Sequence, residues 1–202
     1  MKRPSSANSS RLFGPVPPRW RKDVERVLIS KVKLARRVAQ LARRIERDFA
    51  GRDLVIVALL NGTVVFLADL IRHLSLPLRL DFFGISSYAN GTESGALTVT
   101  KELRIDLRGR DVLVVDDILD SGRTLSHVLG RLRALRPRRL RVCVLLEKKA
   151  RRQVRVKADY VGFQIPNEFV VGYGLDYAER YRNLPFVGVL KPECWKTPPR
   201  KG

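Results

Sequence analysis

The sequence has few cysteines, few histidines and no long apolar segment. Its 202 residues include two cysteines, Cys143 and Cys194, too few for a disulfide framework. We therefore expect a reducing, cytoplasmic compartment. The two histidines, His73 and His127, do not cluster with either cysteine, so no ordinary zinc site is expected. The longest apolar runs, such as residues 54–60, are far shorter than the about 20 residues of a membrane span, and we expect no membrane partner.

Acidic residues are also scarce. The chain has 20 Asp and Glu against 40 Lys and Arg, which gives a formal net charge of +20 at pH 7. Residues 131–157 contain twelve basic residues and a single acid, Glu147. Such a density could neutralise nucleic-acid phosphates, attract a polyanionic small substrate, or form a solvated surface. The aromatic platforms of single-strand binders are missing from this segment, and we therefore do not expect nucleic acid as a partner.

The length and composition fit one folded domain between two polar tails. A hydrophobic content of 45% is ordinary for a globular chain of this size. Residues 1–22 are rich in proline and serine and carry no acid, which predicts a disordered basic tail. We assign residues 23–190 to the domain and residues 191–202 to a C-terminal tail.

Hydrophobic periodicity predicts strands that alternate with helices. The helices are predicted at residues 30–49, 63–74 and 121–135, and the strands at 54–60, 78–85, 98–104, 112–115, 140–146, 160–163, 170–172 and 186–190. This alternation is typical of a mainly parallel sheet with right-handed crossovers. Ligands of such sheets bind beyond the carboxyl ends of the strands, where residues 61–62, 87–88, 116–124 and 148 are expected.

Residues 112–125 carry the strongest functional signal. An apolar run ends at Asp116 and Asp117, Asp120 follows, and residues 121–124 read Ser-Gly-Arg-Thr before a helical pattern begins. A glycine, two hydroxyls and a helix N-terminus suit a phosphate group. The acids would repel a bare phosphate, so they suit a ribose phosphate that carries hydroxyls and a metal. The simpler alternative is a strand–helix turn in which the acids cap the helix.

This segment resembles the 5-phosphoribosyl-1-pyrophosphate (PRPP) motif of type I phosphoribosyltransferases: two acids, two apolar residues, an acid, and Ser/Thr-Gly-x-Thr. Residues 59–63, 145–149, 161–177 and 181–185 are similar to the hypoxanthine-guanine phosphoribosyltransferase family. The resemblance runs from about residue 29 to residue 190. It implies the type I phosphoribosyltransferase fold, a twisted, mainly parallel sheet flanked by helices, with a small hood from the two ends of the domain.

The resemblance also implies an activity. A Mg²⁺-dependent purine salvage enzyme would transfer the phosphoribosyl group of PRPP to a 6-oxopurine, hypoxanthine or guanine, giving IMP or GMP and pyrophosphate. Association into a homo-dimer or homo-tetramer is implied as well. The rival hypothesis is a regulator with the same fold that binds PRPP and RNA, like the pyrimidine-operon regulator. A relative that prefers xanthine is a third alternative, because the expected contacts to the purine 2-position are mostly backbone.

The PRPP site is implied residue by residue. Asp116 and Asp117 would hold the ribose hydroxyls, directly or through Mg²⁺, and Asp120 would be the general base at purine N7. The 5′-phosphate would be wrapped by Ser121, Gly122, Arg123 and Thr124. Pyrophosphate would lie against the loop of Leu60, Asn61 and Gly62, where the family often has a cis peptide, and against Arg182. Relatives usually carry Lys or Arg in place of Asn61, which puts the role of that loop in doubt.

The purine site is implied in the same way. Lys148 would bind the 6-oxo group, Phe169 would stack on the purine, and the Val170 backbone would face its 2-position. Asp176 would ligate a second Mg²⁺, and Ser87 and Tyr88 would begin a mobile lid.

Each of these residues also has a simpler interpretation. Lys148 could be solvated within a basic run, and Phe169 and Tyr88 could be core residues. Asp176 and Arg182 could form an ordinary surface ion pair.

Overall fold

The computed structural model describes residues 15–87 and 97–196. Its strands are β1 (Val24–Ile29), β2 (Leu54–Leu60), β3 (Leu78–Ser87), β4 (Leu97–Lys101), β5 (Asp111–Leu119), β6 (Arg139–Glu147), β7 (Tyr160–Gln164), β8 (Val170–Val171) and β9 (Val187–Leu190). Its helices are α1 (Lys31–Asp48), α2 (Val64–Ile71), α3 (Arg123–Ala134) and α4 (Pro192–Lys196), and a 3-10 turn spans Pro18–Trp20. The chain divides into a larger unit, residues 37–167, and a smaller unit of the described residues before and after it. Among the described residues, no helix is both long and apolar enough to cross a bilayer.

The larger unit is built on a six-stranded sheet in the order β4-β3-β2-β5-β6-β7. All neighbouring strands are parallel except β3 and β4. The central strands carry continuous apolar runs: residues 54–58 of β2 and 112–115 of β5 are all fully buried. Burial on both faces is what a central parallel strand requires. The predicted mainly parallel sheet flanked by helices is confirmed.

The helices bury one apolar face each. On α1 the spacing of Leu34, Val38, Leu41 and Ile45 places them on one side, and all are nearly inaccessible to solvent. On α3 the buried residues are Leu125, Val128, Leu129 and Leu132. These α3 side chains pack in one cluster with alternate residues of β2, β5 and β6.

The smaller unit contains a three-stranded antiparallel sheet in the order β1-β9-β8. Both ends of the chain contribute to it, because Val24 pairs with Leu190 and Val170 pairs with Val189. Its core contains Val24, Val27, Val171, Leu184, Phe186 and Leu190. The sequence predicts a small hood built from the two ends of the domain. The three strands of this sheet come from those two ends.

Several boundaries differ from the sequence-based prediction. β5 does not end at Val115 but continues to Leu119, because its backbone stays paired with β6 as far as Glu147. Asp116 and Asp117 therefore lie within the strand. β1 was not predicted, since charged residues interrupt its apolar pattern. The 3-10 turn and α4 fall inside segments predicted as tails, while the proposed domain limits at residues 23 and 190 remain predictions.

Asp111 anchors the amino end of β5. Its side chain is fully buried and accepts hydrogen bonds from Arg138 Nε (3.1 Å) and Arg138 Nη2. The guanidinium groups of Arg52 and Arg139 approach it at 3.6 and 4.0 Å. The hydrogen bonds from Arg138 lower the pKa of Asp111, and the nearby arginine charges outweigh the opposing effect of burial.

We predict that Asp111→Asn lowers the free energy of unfolding at pH 7 by about 1–3 kcal/mol, because a buried charge-assisted hydrogen bond is lost. The pKa of Asp111 is lower in the folded protein than in the unfolded chain. The stabilisation is therefore complete above the pKa of the unfolded state, and it is lost as the pH falls through the pKa of the folded state. The difference from wild type, measured by urea unfolding, should therefore shrink below about pH 4.

The matched control is Asp53→Asn. Asp53 is 52% exposed and also pairs with two arginines, Arg110 and Arg79, so we expect a change below about 1 kcal/mol. Equal losses in the two variants at pH 7, or a loss for Asp111→Asn that does not depend on pH, would contradict the assignment.

Candidate functional site

A cavity of about 270 Å³ opens in the larger unit, at the carboxyl ends of β2 and β5. Its walls include residues 59–60, Gly62, residues 116–122 and Thr124. The parallel pairing of β2 with β5 brings residues 60–62 and residues 116–120 to the same edge of the sheet. The structure therefore gathers at one place most of the residues predicted for PRPP.

The loop from Ser121 to Thr124 leads directly into α3. Gly122 precedes the helix with φ +85°, and a Cβ there would lie 2.5 Å from the carbonyl oxygen of Val154. A side chain is therefore excluded both by the backbone conformation and by space. The Ser121 carbonyl accepts hydrogen bonds from the backbone N–H groups of Gln153 (2.9 Å) and Val154 (3.0 Å). Residues 153–154 thus brace a loop whose first N–H groups, at the start of a helix, suit an anion.

Asp116 and Asp117 stand next to each other in the final part of β5. Desolvation by the surrounding protein, followed by repulsion from the Asp117 charge, raises the pKa of Asp116 well above its ordinary value. Asp116 Oδ1 accepts hydrogen bonds from the Asp117 N–H (3.0 Å) and from Thr63 Oγ1 (3.4 Å). A cation or sugar hydroxyls beside these carboxylates would relieve the repulsion between them.

Asp116 and Asp117 offer the carboxylate oxygens that Mg²⁺ prefers as ligands. Mg²⁺ is bound in proteins by one or two carboxylates, several waters and substrate phosphates. Within the described ranges there is no group of three or more His, Cys, Asp or Glu residues that could hold a metal ion. The adjacent carboxylates of Asp116 and Asp117 fit the one-or-two-carboxylate pattern, in which the substrate completes the coordination.

The 60–62 loop packs tightly against these acids. The peptide bond between Leu60 and Asn61 is cis. A Cβ on Gly62 would lie 1.7 Å from Asp117 Oδ2, so any side chain at this position would displace the Asp117 carboxylate. Thr63, which follows, is 1% exposed and contacts Asp116. The closeness of this loop to the acidic pair follows from the register of β2 and β5.

Asp120 lies between two basic side chains. Its Oδ2 is 3.6 Å from Lys148 Nζ and 3.4 Å from Arg151 Nη1. Lys148 is only 6% exposed, and its backbone N–H donates to the Leu119 carbonyl at 3.0 Å. The alternative of a solvated Lys148 is therefore wrong. Asp120 Oδ1 is buried and has no hydrogen-bond partner among the residues described.

Phe169 and Val170 belong to the smaller unit. Val170 pairs with Val189 in the antiparallel sheet, and the Phe169 carbonyl accepts a hydrogen bond from the Leu190 N–H at 2.8 Å. The Phe169 ring is partly exposed and stacks on Trp195, with centroids 5.1 Å apart and planes at 15°. Phe169 is therefore not a fully buried core residue.

Asp176 and Arg182, also in the smaller unit, form the ion pair that was one of the two interpretations. Arg182 Nη1 lies 2.9 Å from Asp176 Oδ1 and donates to the Gly174 carbonyl at 3.0 Å. Arg182 Nη2 contacts Glu179 at 2.9 Å. The predicted roles of Asp176 with Mg²⁺ and of Arg182 with pyrophosphate stay predictions.

The two lid residues and Arg123 complete the predicted set. Ser87 is the last residue of β3, and Tyr88 lies outside the described residues. Arg123 is exposed at the first position of α3.

Sequence reasoning missed Thr63, Arg151 and the pair 153–154, which contact the predicted site residues directly. Thr63 was taken only as the start of a helix. Arg151 is one of many arginines in its segment, so nothing in the sequence distinguished it.

Comparisons with known proteins identify the family of this chain. A family model described as the phosphoribosyl transferase domain matches residues 29–178. The hypoxanthine-guanine phosphoribosyltransferase of Bacillus subtilis (strain 168) is 42% identical over 176 residues, which cover 87% of this chain and 98% of the relative. A crystal structure of a hypoxanthine phosphoribosyltransferase from Staphylococcus aureus superposes with a TM-score of 0.85 at 38% identity, covering 91% of this chain and 100% of that one.

Some relatives are much longer. The bifunctional protein TilS/HprT of Listeria monocytogenes serotype 4b is 47% identical over 174 residues, which are 86% of this chain. The match covers 27% of that relative, so the chain spans about a quarter of the length of the bifunctional proteins that it matches. Matched over most of its length by the family model and by full-length relatives, the chain belongs to the hypoxanthine-guanine phosphoribosyltransferase family.

Proposed function

We propose that this protein is a purine salvage enzyme that transfers the 5-phosphoribosyl group of PRPP to hypoxanthine or guanine, giving IMP or GMP and pyrophosphate. One observation carries the proposal: a single cavity is lined by a phosphate-type loop, an acidic pair and Asp120, whose carboxylate lies 3.6 Å from buried Lys148. The family relationship supports the same activity.

In this proposal the larger unit binds PRPP through two groups of residues. The N–H groups at the start of α3 and the hydroxyls of Ser121 and Thr124 surround the 5′-phosphate, which the helix N-terminus favours electrostatically. Asp116 and Asp117 accept hydrogen bonds from the ribose hydroxyls. Gly122 allows the backbone to approach the phosphate, and the loop of Leu60, Asn61 and Gly62 faces pyrophosphate.

The carboxylates of Asp116 and Asp117, with Asp176 proposed for a second ion, suit Mg²⁺. Bound Mg²⁺ would neutralise charge on the pyrophosphate leaving group. Arg182 is proposed to contribute in the same way, by donating hydrogen bonds to the leaving oxygens. Arg182 Nη1 lies 2.9 Å from Asp176 Oδ1, so in this proposal the two residues act side by side.

The chemical step breaks the bond between ribose C1 and the pyrophosphate oxygen, and a purine nitrogen forms the new bond to C1. Asp120 accepts the proton that the purine loses at N7, which makes the base a better nucleophile. The sugar would otherwise be captured by water, so exclusion of solvent by a lid that begins at Ser87 and Tyr88 belongs to the proposal.

Lys148 is proposed to select the base. An ammonium group can only donate hydrogen bonds, so it favours the 6-oxo group of hypoxanthine or guanine and leaves the 6-amino group of adenine unmatched. In the smaller unit, Phe169 is proposed to stack on the purine, and the Val170 backbone to face its 2-position.

Self-association and location are also proposals. The family relationship supports a homo-dimer or homo-tetramer, and the two unpaired cysteines, Cys143 and Cys194, support a cytoplasmic location.

A purine panel tests the activity. Adenine, hypoxanthine, guanine and xanthine are each incubated with PRPP and Mg²⁺, and nucleotide and pyrophosphate are measured. We expect turnover of hypoxanthine or guanine and none of adenine. If PRPP binds but no purine reacts, the RNA-binding regulator is the better hypothesis.

Asp120→Asn is expected to lower kcat for hypoxanthine roughly 10²–10⁴-fold, because the amide cannot accept the N7 proton. Steady-state kinetics at saturating PRPP measure the effect. The control is Asp106→Asn, which changes an exposed carboxylate elsewhere in the same unit and should retain wild-type kcat. Near-normal turnover of Asp120→Asn would remove Asp120 from the mechanism.

Lys148→Gln is expected to lower kcat/KM for hypoxanthine roughly 10- to 100-fold through loss of a charged hydrogen bond. The ratio of hypoxanthine to adenine kcat/KM should fall with it, since glutamine can also accept a hydrogen bond from the 6-amino group. Lys149→Gln is the matched control, because the neighbouring lysine is exposed. An equal effect of the two substitutions would assign the loss to the general positive charge.

A further inference from the structure

The Phe169 ring has two aromatic neighbours in the smaller unit. Trp195 stacks on it with centroids 5.1 Å apart and planes at 15°, and Tyr177 meets it at 5.5 Å and 88°. Both geometries fall within the range of favourable aromatic pairs. Phe169 nevertheless remains partly exposed. Trp195 therefore contacts the ring in a stacked arrangement, and the residue is not fully covered by its neighbours.

The position of Trp195 is set by contacts to the backbone of the same unit. Just before α4, the Lys191 N–H donates to the Asp23 carbonyl at 2.9 Å, and Lys191 Nζ donates to the Arg21 carbonyl at 2.8 Å. Tyr177 Oη donates to the Trp195 carbonyl at 3.4 Å. These bonds attach α4 to the segment just before β1 and to Tyr177. They thereby also fix the Trp195 indole that stacks on Phe169.

We propose that Trp195 is a positioning residue for the purine: it backs the Phe169 ring and holds that ring in the plane on which the base stacks. The proposal rests on the proposed function, in which Phe169 stacks on the purine. Trp195 lies beyond residues 29–178 that the family model matches, so that model says nothing about it. The segment from 191 onward, expected only to be a polar tail, thereby acquires a role in binding the base.

The physical reason is preorganisation. A partly exposed phenylalanine must give up rotational freedom when a flat ligand stacks on it, and that loss weakens binding. An indole parallel to the ring restricts it before the ligand arrives. Because Trp195 would act through Phe169 and not through the phosphate loop of the larger unit, its loss should affect the base and leave PRPP unaffected.

The test is the split between kinetic constants in Trp195→Leu, which keeps apolar bulk but removes the aromatic plane. We expect KM for hypoxanthine to rise roughly 2- to 10-fold, the range that an aromatic pair accounts for. KM for PRPP and kcat should stay within error of wild type. Trp195→Phe, which restores an aromatic ring, should recover most of the wild-type KM for hypoxanthine.

The control is Trp20→Leu in the same unit. Trp20 packs against Tyr181 with ring centroids 6.0 Å apart and not on Phe169, so KM for hypoxanthine should not change. An equal rise in both leucine variants, a rise in KM for PRPP, or no rescue by Trp195→Phe would reduce Trp195 to a structural residue. A lower KM for hypoxanthine in Trp195→Leu would mean that the indole occupies the place of the base, and would overturn the proposal.

A second measurement does not depend on the leucine variant folding. The chain has two tryptophans, so Trp20→Phe leaves Trp195 as its only indole. Titration with GMP should then change the Trp195 emission saturably, and an unchanged emission while GMP inhibits the reaction would contradict the proposal. If wild type turns over no purine at all, the proposed function fails; if only the Trp195 results differ from expectation, this inference alone fails.

Discussion

The parallel pairing of β5 with its neighbours is the constraint on which the candidate site depends. β2 pairs with β5 through Val115, and β6 continues the pairing to Leu119. The first pairing sets the 60–62 loop against Asp117, and the second brings Lys148 beside Asp120. A shift of one residue in either register would exchange the faces of the sheet to which Asp116 and Asp117 point, and it would separate the residues that meet here. The apolar run at 112–115 and its buried neighbours in β2 therefore also determine where the polar groups meet.

Much of the fold could be read from the sequence, because the central strands are buried on both faces and the helices on one. The continuous apolar run at residues 54–60 indicates a strand buried on both faces, and the spacing of apolar residues along α1 indicates a helix buried on one face. β1 was missed because an edge segment with Glu25 and Arg26 has no such pattern, and only its pairing with β9 makes it a strand. The end of β5 was misjudged for a related reason. Acidic side chains usually mark a loop, but here the backbone stays hydrogen-bonded while the side chains serve a cavity.

The site was predictable where its chemistry lies in a contiguous segment, and not where it depends on contacts between distant segments. Asp116 to Thr124 could be identified because acids, a glycine and hydroxyls occur in a fixed order. Nothing in the sequence connects Thr63 with Asp116, or residues 153–154 with the Ser121 carbonyl. The same limit applies to Arg151. Its segment contains many arginines, and the sequence does not indicate which of them approaches Asp120. Long-range contacts of this kind become visible only when the strands are aligned.

Asp111 is the first residue of β5, and Asp116 lies five residues further along the same strand, about 16 Å away in extended chain. The first is a buried anion neutralised by arginines, and the second has a raised pKa beside a like charge. Within one strand, the residue that stabilises the fold is therefore separated in space from the residues that line the cavity. Substitutions that aim at a more stable variant of this chain therefore belong at that far edge, away from the candidate site.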